Sequence, residues 1–463
     1  MNRRLFFLLI SILAVKLFFL AVDSYPGLMF GDSASYLTTA LQKWIPPDRS
    51  FLYGFIIRRL TVNFRIHSLI PVVVFQALLS GLASWLAGYC LVRFFHARFS
   101  VAALFSLLMS IEPMSLMFER FILPDSLTAS VFAIFMCAVF SYMQTPRLRM
   151  LAWVQILSTL LVALRLNFLP VAIGASVLLP PLTPALRQRW RISGYRAILG
   201  PVAFSLLLSQ GLLWGYRSVY GDLIGKPAAY SYSDGSFLIA VVVLLLEPAD
   251  FPRRVDGGAI LKEARYTISD PRMRPANHWM EGGLCDVFQQ VVGDPDEANA
   301  LMKETALNAV LRNPAGVAKL AVGLYLDFFN AKELRDTLKI EEGQGHEATM
   351  QQAETLLTSF NFDVQEDMRF DSVTKVWHGM ALPWYWLLLV FPMLYLPYLF
   401  LRRQAIGPQH VLCFLFAAMI VVETVALVER IVTRYLVAEA WLLCVAIGAM
   451  MPREMGKPDE RPS

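Results

Sequence analysis

Long apolar segments constrain this chain more than any other feature. Of its 463 residues, 56% are hydrophobic, and the mean hydropathy is +0.51. Soluble domains of this length rarely reach that value, so most of the chain is expected to lie in a lipid bilayer. A helix crosses the bilayer core with about 20 apolar residues, or fewer where it kinks. By that measure the sequence predicts about ten spans: Leu5–Val22, Leu69–Val92, Phe99–Ile111, Leu127–Met143, Leu151–Leu164, Phe168–Leu182, Ala197–Trp214, Leu382–Leu401, Val411–Val428 and Leu436–Met451.

The basic residues occupy every second connection between these spans. Cytoplasmic loops of membrane proteins carry an excess of Lys and Arg, so these connections and both termini are predicted to face the cytoplasm. The net charge of +5 therefore indicates membrane orientation and not nucleic-acid binding. The basic connections contain Arg3 and Arg4, Arg93 and Arg98, Arg147 and Arg149, the arginines between 187 and 196, Arg402 and Arg403, and Arg453 with Lys457 and Arg461.

The long segments lie on the opposite, outer side. The sequence predicts an all-α polytopic protein in which residues 1–215 hold seven spans, 216–381 form a mostly helical outer domain, and 382–463 hold three spans and a cytoplasmic tail. The first outer loop, 23–67, contains two stretches with apolar residues at helical spacing, expected to lie on the membrane surface. These are Ser33–Trp44 and Phe51–Phe64; in the outer domain, Gly235–Glu247, Asp296–Arg312 and Pro314–Phe329 are predicted helices, the first packing into a soluble core.

Asp32 follows the first span by a few residues, where the chain leaves the membrane. An aspartate or serine before Ala34 is a good helix N-cap, which is the simpler interpretation. The alternative is a general base at the mouth of a lipid-facing cavity, where burial raises its pKa and a neighbouring cation lowers it. The two interpretations are compatible, because a capping carboxylate still presents one oxygen outward.

The second outer loop, 112–125, adds further carboxylates. Glu119 and Arg120 are adjacent, and their simpler interpretation is a surface pair; Asp125 precedes a span and fits a helix cap. Two acids from two outer loops can, however, share a metal ion or an acceptor hydroxyl. The sequence leaves both interpretations open.

Arginines on the outer side are less expected than those facing the cytoplasm. Arg165 ends the fifth span, and Arg430 and Arg434 lie four residues apart before the last span, where a helix would place them on one face. The simpler interpretation is that these arginines snorkel towards water and form a pair with Glu429. The alternative is a clamp for a lipid phosphate, which the planar guanidinium group binds well. Further candidates from the first loop are Arg49, Arg58 and Arg59.

Several other chemistries are disfavoured. Four of the five cysteines lie in predicted spans, and the six histidines show no metal-binding spacing. Phosphate-binding loops, dinucleotide-binding glycines and nucleophile elbows are absent from the sequence. Lys16 and Glu423 are the ionisable residues clearly within spans, and Lys16 is expected to snorkel.

Five short stretches of the chain belong together: Gly31-Asp32-Ser33 with Tyr36-Leu37, Pro47-Asp48-Arg49-Ser50-Phe51-Leu52-Tyr53, Arg165, Asn313-Pro314 and Arg434-Tyr435. They resemble polytopic glycosyltransferases of the GT-C fold, the class that uses lipid-phosphate sugars and includes protein mannosyltransferases and aminoarabinose transferases. By topology the resemblance covers most of the chain. One departure is that mannosyltransferases commonly have an Asp-Glu pair, whereas Ser33 follows Asp32 here.

The resemblance implies roles for particular residues. Asp32 would be the general base or a metal ligand, with Asp125 or Glu119 as the second carboxylate and Mg²⁺ or Mn²⁺ as an open alternative. Tyr36 and Tyr53 would contact the acceptor. The donor phosphate would be bound by Arg434, Arg430, Arg165, Arg49, Arg58 and Tyr435.

These observations lead to one expected function and two rivals. The expected protein is a glycosyltransferase of the bacterial inner membrane that moves a sugar from a polyprenyl-phosphate donor to a lipid, glycan or protein acceptor at the outer face, with inversion or retention left open. Bacterial origin is favoured weakly, because the chain has no Asn-x-Ser/Thr acceptor. A transporter or flippase is the first rival, although no internal repeat is evident. A non-catalytic scaffold is the second.

Overall fold

A computed structural model describes residues 3–187, 196–266, 268–342, 347–364, 373–401 and 407–451. Of the residues that the structure describes, 79% are helical and none lies in a β-strand. An isolated bridge joins Gly27 to Phe121. Some of the predicted basic residues lie outside the described residues: Arg189, Arg191, Arg402, Arg403, Arg453, Lys457 and Arg461.

Helices follow one another along the whole chain. The first half contains α1 (Arg3–Val22), α2 (Phe30–Gln42), α3 (Leu52–Leu60), α4 (Ile70–Phe94), α5 (Phe99–Ser110), α6 (Pro113–Phe118), α7 (Asp125–Gln144), α8 (Leu148–Leu164), α9 (Leu169–Val177), α10 (Leu179–Arg187) and α11 (Arg196–Ile224). The second half contains α12 (Asp234–Val242), α13 (Gly257–Glu263), α14 (Arg274–Trp279), α15 (Leu284–Val292), α16 (Pro295–Arg312), α17 (Pro314–Asp327), α18 (Ala331–Glu341), α19 (Glu347–Ser359), α20 (Val373–Gly379), α21 (Leu382–Leu401), α22 (Pro408–Ala426) and α23 (Val437–Met450). A 3₁₀ turn, Thr433–Leu436, leads directly into α23.

In the described ranges, six helices are long and apolar enough to cross a bilayer, as expected of a helical membrane protein. They are α1, α4, α7, α21, α22 and the segment Thr433–Met450. They coincide with six of the ten predicted spans. The other four correspond to the shorter helices α5 and α8, to the pair α9 and α10 that breaks at Leu178, and to the long helix α11. Pro180 and Pro181 at the start of α10 lack the N–H groups that would continue α9.

Close helix contacts hold the membrane part together. The largest buried apolar cluster contains residues from α4, α7, α21, α22 and α23. At Gly88, a Cβ atom would lie only 2.2 Å from the hydroxyl of Ser106, so glycine is what lets α4 and α5 approach. Small residues are common at helix interfaces of membrane proteins, because in lipid the association of helices is driven by close van der Waals packing and not by the hydrophobic effect.

The predicted outer segments meet at one end of the helix bundle. The Tyr220 hydroxyl donates to the carbonyl of Pro46, and Trp384 donates to the carboxylate of Glu112. Arg274, in α14, donates to the Val428 carbonyl beyond α22. These bonds join the first loop to the start of the predicted outer domain, the second loop to the first turn of α21, and the predicted outer domain to the turn before the last span.

The predicted surface helices of the first loop are observed as α2 and α3, but they are not simply laid on the membrane. Leu37, Ala40, Tyr53 and Ile57 are fully buried. α2 packs against α3 on one side and α19 on another. The first loop is therefore part of the protein core, which places Asp32 at an internal surface.

The segment 216–381 contributes to two separate cores. Residues of α12, α15 and α16, including Ile239, Phe288 and Met302, form an apolar core of their own, as predicted for Gly235–Glu247. By contrast, Leu324 of α17, Leu334 of α18 and the later helix α19 pack into the core of the membrane part. The second half of this segment is thus part of the same apolar core as the membrane helices.

Candidate functional site

Asp32 lies in the first turn of α2 and is held by two arginines from distant parts of the chain. Its Oδ1 atom is 2.7 Å from Nη2 of Arg49, and its Oδ2 atom accepts a 2.5 Å hydrogen bond from Nη1 of Arg434. Its side chain is 18% exposed, so the pairs are largely shielded from water. Charge-assisted bonds of this kind fix all three groups. We call Asp32, Arg49, Arg434, Arg165 and Tyr435 the arginine–aspartate cluster.

The N-cap interpretation of Asp32 is wrong. The N-cap position of α2 is occupied by Met29, and Asp32 is the third helical residue. The hydroxyl of Ser33 accepts a hydrogen bond from the Met29 N–H and donates to the Ile122 carbonyl. Ser33 therefore satisfies the backbone at the helix start and ties it to the second loop, while the Asp32 carboxylate serves the arginines.

The charge state of Asp32 follows from its surroundings. Burial by itself raises the pKa of the Asp32 carboxyl group. The charges of Arg49 and Arg434 and their hydrogen bonds lower it by more, so the pKa lies well below its usual range. Asp32 is thus ionised at physiological pH. A carboxylate that binds protons so weakly is a poor general base until one of its arginines is withdrawn.

Arg165 and Tyr435 extend the cluster. Arg165, directly after α8, forms an ion pair with Oδ1 of Asp125, and its guanidinium carbon lies 4.6 Å from the centre of the Tyr435 ring. The guanidinium carbon of Arg434 lies 5.8 Å from the same ring. Two cations therefore share one aromatic side chain, a favourable arrangement where water is scarce. Asp125 is in contact with Arg165 through one oxygen; the other, Oδ2, has no hydrogen-bond partner among the described residues.

Contacts from the outer segments position the turn that carries Arg434. The carboxylate of Glu341, at the end of α18, accepts hydrogen bonds from both the N–H and the hydroxyl of Thr433. Ser50 donates to the Ala163 carbonyl, which ties the residue after Arg49 to the end of α8. These contacts fix the turn that carries Arg434 to the end of α18, and the loop that carries Arg49 to the last turn of α8.

Tyr36 and Tyr53 are adjacent, and both side chains are buried. Arg49 lies 5.8 Å from the centre of the Tyr36 ring, which meets the Tyr53 ring edge-on at 5.1 Å. The Tyr53 hydroxyl donates to Oε1 of Gln76, and the residue is fully buried. Tyr53 therefore supports the site from behind, and contact with an acceptor is not open to it as the resemblance implied.

Glu119 is placed apart from the cluster, in a buried ion network. Its carboxylate pairs with Lys16 through Oε1 and with Arg120 through Oε2, and all three side chains are almost completely buried. The expected surface pair and the expected snorkelling of Lys16 are thus both wrong. Every residue from Glu112 to Ser126 is buried, because α6 and its flanking turns fold into the protein instead of over it. A catalytic role for Glu119 does not fit these contacts.

Arg58 and Arg430 also lie outside the cluster. Arg58 donates to the Ala40 carbonyl in the last turn of α2, a structural contact. Arg430 lies in the irregular stretch between α22 and the 3₁₀ turn, so it does not share a helical face with Arg434 as predicted. Burial opposes ionisation of its neighbour Glu429, but His278 and Arg430 hold the pKa of that carboxyl at about 2.

The residues present do not fit a divalent cation. Both oxygens of Asp32 are engaged by guanidinium groups, and Asp125 is paired with a third. No group of three or more His, Cys, Asp or Glu side chains suited to a metal occurs in the described ranges. Cations at these positions would repel Mg²⁺ or Mn²⁺, so an anion is the better match for this set of side chains.

Two residues that position the cluster escaped the sequence analysis. Asp48 Oδ2 lies 3.0 Å from Nε of Arg49, and Glu341 anchors the turn before Arg434. Asp48 could have been found, because it precedes Arg49 in the stretch that resembles the glycosyltransferases. Glu341 lies more than 90 residues before the turn it holds and carries no local signal.

The fold and the site together define an all-helical membrane protein with a shielded arginine–aspartate cluster at one end of its bundle. Comparisons with protein-family models, curated proteins and solved structures give no match for this chain.

Proposed function

We propose that the protein is a GT-C-type glycosyltransferase that moves a sugar from a polyprenyl-phosphate donor to an acceptor at the outer face of a bacterial inner membrane, with both termini in the cytoplasm. The observation that carries the proposal is the carboxylate of Asp32 between Arg49 and Arg434, with Arg165 beside them. A sugar–phosphate donor needs cations for the departing phosphate and a base for the acceptor, and this cluster contains both.

The reaction follows from these groups. The acceptor hydroxyl gives its proton to the carboxylate of Asp32 as its oxygen bonds to the anomeric carbon of the sugar. The bond from that carbon to the phosphate oxygen breaks, and its electron pair stays on the phosphate. The forked guanidinium groups of Arg434 and Arg165 stabilise the charge that develops there.

Donor binding and base activation are linked in this proposal. Asp32 is a weak base while both arginines hold it. A donor phosphate competes for Arg49 and Arg434 and so withdraws positive charge from the carboxylate, whose pKa then rises. Arg434 retains a donor for such a ligand, since its Nε atom is buried without a hydrogen-bond partner in the described structure.

The proposal is tested by mass spectrometry of envelope lipids, glycans and proteins from cells with and without the protein. We expect a component that is lighter by one sugar residue when the protein is absent. Wild-type protein should restore it, whereas correctly inserted Asp32→Asn and Arg434→Ala variants should not. An unchanged envelope, with polyprenyl-phosphate sugars at normal levels, would refute the proposal.

A transporter or flippase is the second candidate, and two buried acids favour it. Glu423 in α22 and Glu439 in α23 are almost completely buried, and both carboxylate oxygens of Glu439 lack hydrogen-bond partners in the described structure. Ionisable groups within spans are typical of transport pathways. Vesicles that contain the purified protein decide between the two: a transporter moves a labelled polyprenyl-phosphate sugar across the membrane intact, whereas a transferase leaves the labelled sugar on the acceptor.

A further inference from the structure

A second basic site lies on the outer side, between α18 and α20. A pocket of about 290 Å³ is lined by Arg335, Leu338, Lys339, Glu342, Lys375, Val376 and Gly379. None of these residues belongs to the arginine–aspartate cluster.

The charge of this pocket favours an anion. Three basic side chains and one carboxylate line it, and the carboxylate, Glu342, lies 3.3 Å from Nδ1 of the buried His378. Arg335 and Lys339 have no ion-pair partner among the described residues. Their positions at i and i+4 on α18 place both on one face of the helix.

The pocket depends on a close approach of α20 to α18. A Cβ atom at Gly379 would lie 3.1 Å from Oε1 of Glu342, tighter than an ordinary contact. The buried side chain of Leu338 lies against the same space. A larger residue at position 379 would therefore narrow the pocket.

Exposed apolar residues, which we call the apolar track, lie in and just after α20 and in the last turn of α5. Val376 lines the pocket, and the next residue, Trp377, donates to the carbonyl of Ile111 at the outer end of α5. Met380 is 70% exposed, and Leu107 and Leu108 in the last turn of α5 are exposed too. Exposed tryptophan beside exposed aliphatic residues is typical of the membrane–water interface.

We infer that this pocket binds the anionic headgroup of a glycerophospholipid from the outer leaflet, with the acyl chains along Val376, Trp377, Met380 and the end of α5. The basic residues match the phosphate, and the apolar track distinguishes a lipid from a free phosphate. Basic pockets at the membrane surface bind lipid headgroups in this way.

Thermal unfolding of the purified protein in neutral detergent tests the inference. Phosphatidylglycerol should raise the midpoint, whereas phosphatidylcholine with the same acyl chains and free glycerol 3-phosphate should not. In Arg335→Glu/Lys339→Glu, the lipid concentration for half the shift should rise about tenfold or more, because each basic residue near the surface adds attraction for anionic lipid. The matched control, Arg253→Glu/Lys262→Glu, changes the same charge at exposed positions of the outer domain and should respond as wild type.

Further variants cover the remaining outcomes. Arg335→Gln/Lys339→Gln keeps the side-chain size if charge reversal prevents folding, and it should also weaken the response. Val376→Ser/Met380→Ser should weaken the response to the lipid through loss of the apolar track. An equal response of the charge-changed variants and wild type, an equal effect of phosphatidylcholine, or a full effect of glycerol 3-phosphate alone would each overturn the inference.

Discussion

Asp32 and Arg434 are 402 positions apart in the chain, yet an Oδ2 atom of one and an Nη1 atom of the other are 2.5 Å apart. This ion pair joins α2 to the turn before the last predicted span. A second arginine, Arg49, holds the other oxygen of Asp32. The three residues form a closed set of charges, which the proposed anionic donor would have to open.

Replacing Arg434 by alanine should lower kcat/KM of the proposed transfer by about ten- to a hundredfold, since a bond to a charged phosphate contributes roughly 1.5–3 kcal/mol. Arg434→Lys should recover only part of the loss, because the guanidinium fork is missing. Arg254→Ala is the control, since Arg254 is exposed and pairs with Glu297 in the outer domain. Steady-state kinetics in detergent check this, and equal small losses in both alanine variants would contradict the clamp.

Replacing Asp32 by asparagine should reduce kcat by about a hundred- to ten-thousandfold, because general-base catalysis is worth that much. It should also destabilise the protein by about 1–3 kcal/mol, since Arg49 and Arg434 lose a shared counter-charge. The N-cap interpretation predicts only a few tenths of a kcal/mol, because asparagine caps well. Denaturation and turnover measured on the same preparation separate the two.

Phosphate compounds should bind Asp32→Asn more tightly than wild type, because the anion no longer competes with a carboxylate for the arginines. With geranyl phosphate as the probe, we expect a tenfold or greater gain in affinity, which corresponds to about 1.4 kcal/mol. Asp270→Asn is the matched control, since Asp270 pairs locally with Arg272 in the outer domain. A gain of the same size in the control would assign the effect to net charge alone.

The pH dependence should differ between free enzyme and complex. The pKa of Asp32 is lowered in the free protein, so its stabilising contribution is present above the unfolded value of about 4 and is lost as the pH falls through the lower folded value. Asp32 should therefore produce no acid limb in kcat/KM between about pH 5 and 8. By contrast, kcat reports the enzyme–donor complex, in which the pKa of Asp32 is raised, so its acid limb should lie at a higher pH than the pKa of Asp32 in the free protein. An acid limb in kcat/KM that disappears in Asp32→Asn would contradict this.

Replacing Lys16 by methionine should destabilise the protein by about 3–5 kcal/mol, because one partner of a buried ion pair is removed. The additional change Glu119→Gln should cost less than it does in the wild type, since Lys16 is no longer present to lose its partner and only Arg120 is left unpaired. A double-mutant cycle of thermal unfolding measures the coupling. Independent, additive effects would show that the pair contributes little.

Local sequence patterns predicted the helices better than the site. Asn313 begins α17 as its N-cap, and the predicted break at Asn313-Pro314 lies between α16 and α17. Among the candidate side chains, Asp32, Arg49, Arg165, Arg434 and Tyr435 are brought together. Glu119 and Arg58 lie elsewhere. The sequence could not show this, because hydropathy does not tell whether a charged residue in a connection stays in water or folds inward with a partner.

The sequence by itself determined the membrane class of the protein, because the apolar length of a helix depends only on neighbouring residues. Only the tertiary structure decided that the second loop is buried around Glu119 and that Asp32 serves two arginines instead of the backbone of α2. The physical reason is that the low-dielectric interior makes the cost of a charge depend on its partner, and that partner is chosen by packing between segments hundreds of residues apart.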